Sequence, residues 1–257
     1  MKILFIVSAS PKVGLGHLNR CIAIADYASA KNIEIFFLLN ADQELAKQIR
    51  ICGYKYQLIN DDASIASQIL ALKGVFDIVI VDVVCRGFRS IPFATEALTL
   101  MGEVAKVSIA IDALGVDSIN ESLLDINATH LLIPYASSVC ITRKTKFKVL
   151  SGPQFALLPV KFKEIASRGA DIGSGKSILV TCGGSDQNEN TLEILNGLEA
   201  VDEVLKISVI VGPLFSQTLI SKIRSSIALS KHRINTVDSP KSLLAHMLDV
   251  DFAISAS

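Results

Sequence analysis

The sequence predicts an α/β protein with two Rossmann-like domains, and three observations lead to that class. Short apolar runs typical of strands alternate with helical patterns along most of the 257 residues, as in a doubly wound parallel sheet. The order strand, glycine-bearing turn, helix opens both halves of the chain, over 2–31 and again over 177–198. Half of the residues are apolar and only 19% are charged, which suits sheets that are covered on both faces.

The first domain is predicted over residues 1–150. Its strands are expected at 2–7, 33–39, 55–59, 77–82, 106–111 and 129–133, and its helices at 17–31, 41–52, 62–72 and 90–102. The alternation breaks between 134 and 176, where prolines and glycines gather. Because such composition is typical of inter-domain segments, residues 151–176 are predicted to connect the two domains.

The second domain is predicted over residues 177–257. Its strands are expected at 177–182, 206–211, 233–237 and 251–255, and its helices at 188–198, 215–229 and 239–248. The sequence stops just after the last of these strands, before any helix that would cover it. We therefore expect the second domain to be incomplete, as in a truncated chain.

Composition and charge exclude several classes of function. The formal net charge is zero, which argues against nucleic-acid binding because the basic footprint of such proteins is missing. No apolar run approaches the roughly 18 residues of a membrane span. The five cysteines are scattered without a C-x-x-C pair, which predicts reduced thiols in the cytoplasm and no metal site.

A glycine-rich turn follows the first predicted strand. The stretch from Gly14 to Arg20 reads GLGHLNR, and a helical pattern begins within it. Such a turn directs backbone N–H groups and the positive helix end toward an anion, and glycine permits close approach of a ligand. We predict that Gly14, Gly16 and Arg20 bind substrate and that His17 places a titratable base beside it. A turn with solvated His17 and Arg20 is the alternative.

Two acids end neighbouring predicted strands. Asp82 follows the apolar run at 78–81, and Asp112 follows the run at 107–111. Carboxylates in these places commonly line the ligand crevice of a doubly wound sheet. We predict that both lie in the substrate site, either orienting His17 or contacting hydroxyl groups of the substrate. The alternative is that they cap the loops that follow.

A second glycine turn opens the second domain. Gly183, Gly184, Ser185 and Asp186 follow a buried strand and precede a helix, so their N–H groups are predicted to bind a diphosphate. A helix cap made by Ser185 or Asp186 is the alternative.

The first glycine turn, from Gly14 to Arg20, does not match a dinucleotide fingerprint, since Asn19 stands where the third glycine belongs. No NAD or other cofactor is therefore expected.

The stretch GLGHLNR resembles the G-x-G-H-x-x-R signature of the nucleotide-sugar hydrolases of pseudaminic acid synthesis. That family is similar to spore-coat polysaccharide proteins and, more remotely, to the glycosyltransferase that makes lipid II. Three further stretches agree in order: GPQFALL at 152–158, CGGSD at 182–186 and ISAS at 254–257. Together they span essentially the whole chain, and their co-occurrence is more specific than any one motif.

The resemblance implies a glycosyltransferase-B fold with its active site in the cleft, the sugar on the first domain and the nucleotide on the second. It maps the family's catalytic histidine onto His17. It implies hydrolysis of UDP-2,4-diacetamido-2,4,6-trideoxy-β-L-altropyranose at the anomeric carbon, giving UDP and free sugar for nonulosonate or surface-polysaccharide synthesis. The expected partner is thus a UDP-sugar, with no metal, no nucleic acid and no membrane span.

Two other functions remain open. A glycosyltransferase of the same fold would pass the sugar from the nucleotide to an acceptor. A degenerate protein would bind the nucleotide sugar without turnover, an interpretation favoured by departures from the family pattern. Val83 and Val84 follow Asp82 where a tyrosine is usual two residues after the acid, Ala113 replaces a second aspartate, and Pro159 replaces an arginine.

Overall fold

A computed structural model of the protein describes residues 1–10, 15–59, 63–83, 91–111, 126–134, 146–162, 173, 175–240 and 242–255. The chain divides into two compact units, Met1–Val13 with His17–Val160 and Gly14–Gly16 with Lys161–Ser257. Each unit carries a parallel sheet of its own, so each is described by itself.

A seven-stranded parallel sheet forms the first unit. Its strands are β1 (Lys2–Ser8), β2 (Glu34–Asn40), β3 (Lys55–Leu58), β4 (Ile78–Asp82), β5 (Val107–Ile111), β6 (His130–Ile133) and β7 (Lys148–Ser151). They lie in the order β3-β2-β1-β4-β5-β6-β7. The α-helices between them are α1 (Gly16–Ser29), α2 (Gln43–Ile51), α3 (Ile65–Leu70) and α4 (Pro92–Val104), and a 3₁₀ turn, Pro153–Phe155, follows β7.

The central strands are buried because apolar side chains occupy both of their faces. In β1 every residue from Ile3 to Ser8 is buried, as expected for a parallel strand between two layers of helices. On one face α4 packs Leu98 and Met101 into a cluster with β1, β4 and β5. Burial of each side chain of this size stabilises the fold by about 1.5–3 kcal/mol. The centre of the sheet is therefore stable and holds the ends of its strands in place.

The strand order of the first sheet reverses between β1 and β4. The chain runs from β1 outward to β2 and β3, and from β4 outward to β5, β6 and β7. Val7 near the end of β1 pairs in register with Asp82 at the end of β4. In doubly wound sheets the ligand crevice lies outside the carboxyl ends of the strands at such a reversal. The start of α1 and the end of β4 therefore lie where a ligand site is expected.

The second unit contains a four-stranded parallel sheet with the same kind of reversal. Its strands are β8 (Ser177–Thr181), β9 (Lys206–Val211), β10 (Arg233–Asp238) and β11 (Phe252–Ser255), and its helices are α5 (Asn190–Leu198), α6 (Gln217–Leu229) and α7 (Leu244–Leu248). The order is β10-β9-β8-β11, so the reversal falls between β8 and β11. The glycine turn that starts at Gly183 follows β8 at this point.

The predicted fold class is confirmed by these two sheets, but one strand was not predicted and two predicted helices are shorter. Strand β7 was not predicted, because it has only four residues, is partly exposed and is followed directly by glycine and proline. The helix predicted over 62–72 spans Ile65–Leu70. The helix predicted over 239–248 is reduced to Leu244–Leu248, and Ser239 has a left-handed φ of 43°, which a helix does not accept.

Candidate functional site

The first group of polar side chains lies where α1 begins. Helix α1 starts at Gly16, so His17 and Arg20 are three residues apart and share one face of the helix. Only 8% of His17 is exposed, and Leu18 and Cys21 beside it are fully buried. This packing holds the start of the helix so that both polar side chains reach the end of β4.

Asp82, the last residue of β4, accepts hydrogen bonds from both of these side chains. Its carboxylate has no exposed surface and stands 2.5 Å from Nδ1 of His17. Arg20 donates to both carboxylate oxygens, from Nε to Oδ2 at 2.9 Å and from Nη2 to Oδ1 at 3.0 Å. A buried carboxylate requires partners of this kind, because an isolated buried charge is very costly.

The contacts of Asp82 determine which nitrogen of His17 carries the proton. A carboxylate only accepts hydrogen bonds, so the 2.5 Å contact requires a proton on Nδ1 of His17. Nη2 of Arg20 also approaches Nδ1 at 3.0 Å, but two donors make no hydrogen bond with each other. In the neutral ring Nε2 therefore keeps its lone pair and can accept a proton from a ligand or from water.

Cys21 is a fourth member of this group and was not among the predicted site residues. Its Sγ lies 3.9 Å from Oδ2 of Asp82. Burial, with Asp82 as a second cause, raises the pKa of the Cys21 thiol well above its usual value, so the thiol stays protonated and donates. The helical spacing from His17 to Cys21 is the signal that predicts a shared face.

The glycine turn of the second unit carries backbone groups rather than charged side chains. Gly183 has a left-handed φ of 76°, which glycine adopts without strain, and space is open around it. The N–H groups of Gly184 and Ser185 find no acceptor among the residues that the structure describes. Two successive N–H groups in a turn can bind an anion.

Asp186 caps the helix that follows this turn. Its Oδ1 accepts from the N–H of Asn190 at 2.8 Å, and its Oδ2 accepts from the N–H of Thr191 at 2.9 Å. The side chain is buried, and its φ of 41° is left-handed. Both oxygens thus accept from the first N–H groups of α5, three residues before its N-cap position at Glu189, so Asp186 satisfies the helix start as the predicted alternative required.

The site residues predicted from the sequence fall into three sets. His17, Arg20 and Asp82 are brought together in the first unit, and Gly16 precedes His17 as the first residue of α1. Gly183, Gly184, Ser185 and Asp186 form one turn in the second unit. Gly14 and Asp112 lie outside the described residues, so their predicted roles in substrate binding stay predictions.

Two of the other described histidines, His130 and His232, have structural contacts. Ring nitrogens of His232 bind the carbonyl of Leu198 at 2.8 Å and the N–H of Leu205 at 3.2 Å. Nδ1 of His130 lies 2.9 Å from Oγ1 of Thr129.

Within the described part of the chain, no three acidic, histidine or cysteine side chains gather in a way that would hold a metal ion. A helix long and apolar enough to cross a membrane is also not found there.

Comparison by sequence gives one distant relative. No family model matches the chain. An uncharacterised protein of Methanocaldococcus jannaschii is 27% identical over 220 residues, which cover 84% of this chain and 43% of that protein. The chain thus spans less than half the length of this relative.

Comparison by structure identifies the fold class. HepE of Anabaena, in complex with UDP-glucose, aligns with a TM-score of 0.61 at 12% identity, over 98% of this chain and 73% of that one. MurG of Acinetobacter baumannii gives 0.57 at 12% identity, over 99% and 71%. A UDP-GlcNAc 2-epimerase of Neisseria meningitidis, bound to UDP-GlcNAc, gives 0.52 at 13% identity, over 100% and 78%. The chain has the Rossmann-like fold of glycosyltransferase-B enzymes.

Proposed function

We propose that the protein is a nucleotide-sugar hydrolase that releases UDP from a UDP-linked 2,4-diacetamido-trideoxy sugar. The observation that carries the proposal is the 2.5 Å contact between His17 and the buried carboxylate of Asp82, at the strand reversal where such sheets bind ligands. The identity of the sugar and its use in nonulosonate or surface-polysaccharide synthesis rest on the resemblance of the four sequence motifs.

His17 acts as the general base in this proposal. Nε2 takes a proton from a water molecule, whose oxygen attacks the anomeric carbon. The bond between that carbon and the diphosphate oxygen breaks, and UDP leaves with the bonding electron pair. Histidine is the side chain that most often serves as a general base, and positioned bases contribute about 10²–10⁴-fold to rates.

Asp82 and Arg20 support the base in this proposal. Asp82 fixes the ring of His17 and stabilises the imidazolium that forms when the water loses its proton. Arg20, with 23% of its side chain exposed, holds both oxygens of Asp82 and thereby fixes the carboxylate. Orientation of His17, one of the two roles that the sequence left open for Asp82, is the role we assign. Gly16 contributes substrate binding at the start of α1.

The nucleotide is assigned to the turn from Gly183 to Asp186. The N–H groups of Gly184 and Ser185 bind the diphosphate, which leaves with additional negative charge that such donors stabilise. Asp186 shapes the turn by holding the first N–H groups of α5. This division places the sugar on the predicted domain 1–150 and the nucleotide on the predicted domain 177–257, with 151–176 as the connection and no cofactor.

A glycosyltransferase is the second candidate. It is supported by the neighbours in the structure comparison, among which is a glycosyltransferase of Rickettsia africae with a TM-score of 0.57 at 14% identity. In that case His17 would take the proton of an acceptor hydroxyl instead of water. A binding protein without turnover is the third candidate, and it would keep the glycine turn while His17 does no chemistry.

One experiment separates the three candidates. The chain is incubated with the UDP-2,4-diacetamido sugar in water enriched in ¹⁸O, and the products are followed by mass spectrometry. A hydrolase gives UDP and free sugar that carries ¹⁸O at the anomeric carbon. A transferase releases UDP only when an acceptor is added, and a binding protein retains the intact sugar nucleotide. Binding of UDP-glucose without binding of the diacetamido sugar would overturn the proposed substrate class.

A further inference from the structure

We propose that Gly212, the residue after β9, is a positioning residue for the diphosphate-binding turn. This inference rests on the proposed function, because it explains how that turn directs its N–H groups. Gly212 is buried, and no sequence motif pointed to it. The position is marked by how closely backbone atoms of the glycine turn approach its α-carbon.

No side chain fits at position 212. A methyl group there would lie 2.5 Å from the carbonyl oxygen of Gly183, 2.5 Å from that of Gly184 and 2.7 Å from the carbonyl carbon of Gly184. All three are backbone atoms, which cannot turn aside as the end of a side chain can. The N–H of Leu214 also donates to the carbonyl of Gly184 at 2.9 Å. The segment that begins at Gly212 therefore packs directly against the two peptide groups of the glycine turn.

This contact fixes the direction of two N–H groups. In a trans peptide the C=O of one residue and the N–H of the next point in opposite directions, and no cis peptide is present among the described residues. The carbonyl oxygens of Gly183 and Gly184 both lie against the segment that begins at Gly212, and that of Gly184 accepts from the N–H of Leu214. The N–H groups of Gly184 and Ser185 therefore point away from this segment, as the donors of an anion-binding pair would.

A side chain at 212 would disturb both peptide groups at once. The two carbonyls would have to swing away from the new methyl group, and each swing turns the N–H on the opposite side of the same peptide. The two N–H groups would then no longer converge on one anion. The substitution should leave the sheet intact, because Val211, the preceding residue, pairs with Asp238 and packs in the core.

The test measures UDP binding by calorimetry in the full chain, its Gly212→Ala variant and a Gly197→Ala control. A methyl at Gly197 on α5 meets no atom within 4 Å, so the control adds the same group in open space. We expect Gly212→Ala to raise the Kd for UDP at least about tenfold, while its affinity for uridine, which lacks the diphosphate, and that of the control for UDP stay within about twofold. Thermal unfolding of each variant shows whether it is folded.

The outcomes separate this inference from the function beneath it. If the wild-type chain does not bind UDP, both are overturned. If the wild-type chain binds UDP and folded Gly212→Ala binds it equally well, or loses uridine to the same extent, only the role of Gly212 is overturned. Should the variant fail to fold, nuclear magnetic resonance of the wild-type chain decides. UDP must then shift the amide signals of Gly184 and Ser185 more than that of Gly197, and unshifted signals would overturn the inference.

Discussion

The two strand reversals of this molecule carry different kinds of groups. At the reversal between β1 and β4, charged and titratable side chains meet around one buried carboxylate, Asp82. At the reversal between β8 and β11, the described residues are a glycine turn and a buried acid, Asp186, whose carboxylate accepts from the N–H groups at the start of α5. The same fold rule thus places titratable side chains at one reversal and backbone donors at the other.

The difference has a physical cause. Proton transfer needs a side chain that can take up and release a proton, and an imidazole ring is such a group. Binding of a diphosphate needs donors that do not titrate, which backbone N–H groups provide at fixed geometry. We therefore expect substitutions at the first reversal to change rates and those at the second to change affinities.

The largest expected effect follows replacement of His17. His17→Asn should lower turnover of the UDP-sugar by about 10²–10⁴-fold because the general base is removed, while UDP binding changes less than about tenfold. Turnover is measured as UDP release, and binding by calorimetry. His246→Asn, on α7, is the matched control and should retain the wild-type rate. Wild-type turnover by His17→Asn would remove His17 from the mechanism.

Replacement of Asp82 should be the largest effect on stability. Asp82→Ala takes a buried carboxylate away from His17 and Arg20, and breaking such a group by removing one partner costs about 3–5 kcal/mol. Urea unfolding monitored by circular dichroism measures the free energy of unfolding. Asp26→Ala on α1 is the control, since its exposed carboxylate accepts a single hydrogen bond, from Tyr54, and its loss should cost about 1 kcal/mol. Equal losses in the two variants would contradict the buried network.

The sequence predicts the two sheets well because their strands are continuous apolar runs. For β1 and β4 the predicted bounds differ from the observed ones by one residue at an end. Strand β7 escaped prediction because a four-residue strand at a sheet edge, with a half-buried surface, has neither a long apolar run nor clear alternation. Edges are fixed by tertiary pairing, here of β7 with β6, which local sequence does not encode.

The candidate sites show the same limit. His17 and Asp82 were singled out by their places after strands, but their direct contact spans 65 residues and depends on the register of β1 with β4. Cys21 looked like an ordinary core residue. Gly212 was missed because the sequence carries no sign that two carbonyls would pack against its α-carbon. What the sequence predicts is which residues end strands, and what it leaves open is which of them touch.

A smaller effect is expected from the acid of the second unit. Asp186→Ala removes the acceptor of two N–H groups at the start of α5 and should cost about 1–2 kcal/mol of stability, as lost helix caps do. Ser216→Ala is the control, because Ser216 caps α6 through one hydrogen bond, to the N–H of Leu219 at 3.1 Å. UDP affinity should fall only partly, because Asp186 holds the turn in shape and does not itself contact the nucleotide in this proposal. A complete loss of UDP binding in folded Asp186→Ala would assign Asp186 a direct contact with the nucleotide.

The smallest expected effect sharpens the comparison from the stability side. Gly197 lies near the end of α5, is exposed and leaves open space for a methyl group. Alanine restricts the unfolded chain more than glycine does, so Gly197→Ala should stabilise the protein by about 0.5–1 kcal/mol. The shift is read from the urea midpoint at unchanged slope, and UDP affinity should not change. A fall in UDP affinity would mean that α5 itself moves when the nucleotide binds, and the second site would then depend on more than the fixed backbone of its turn.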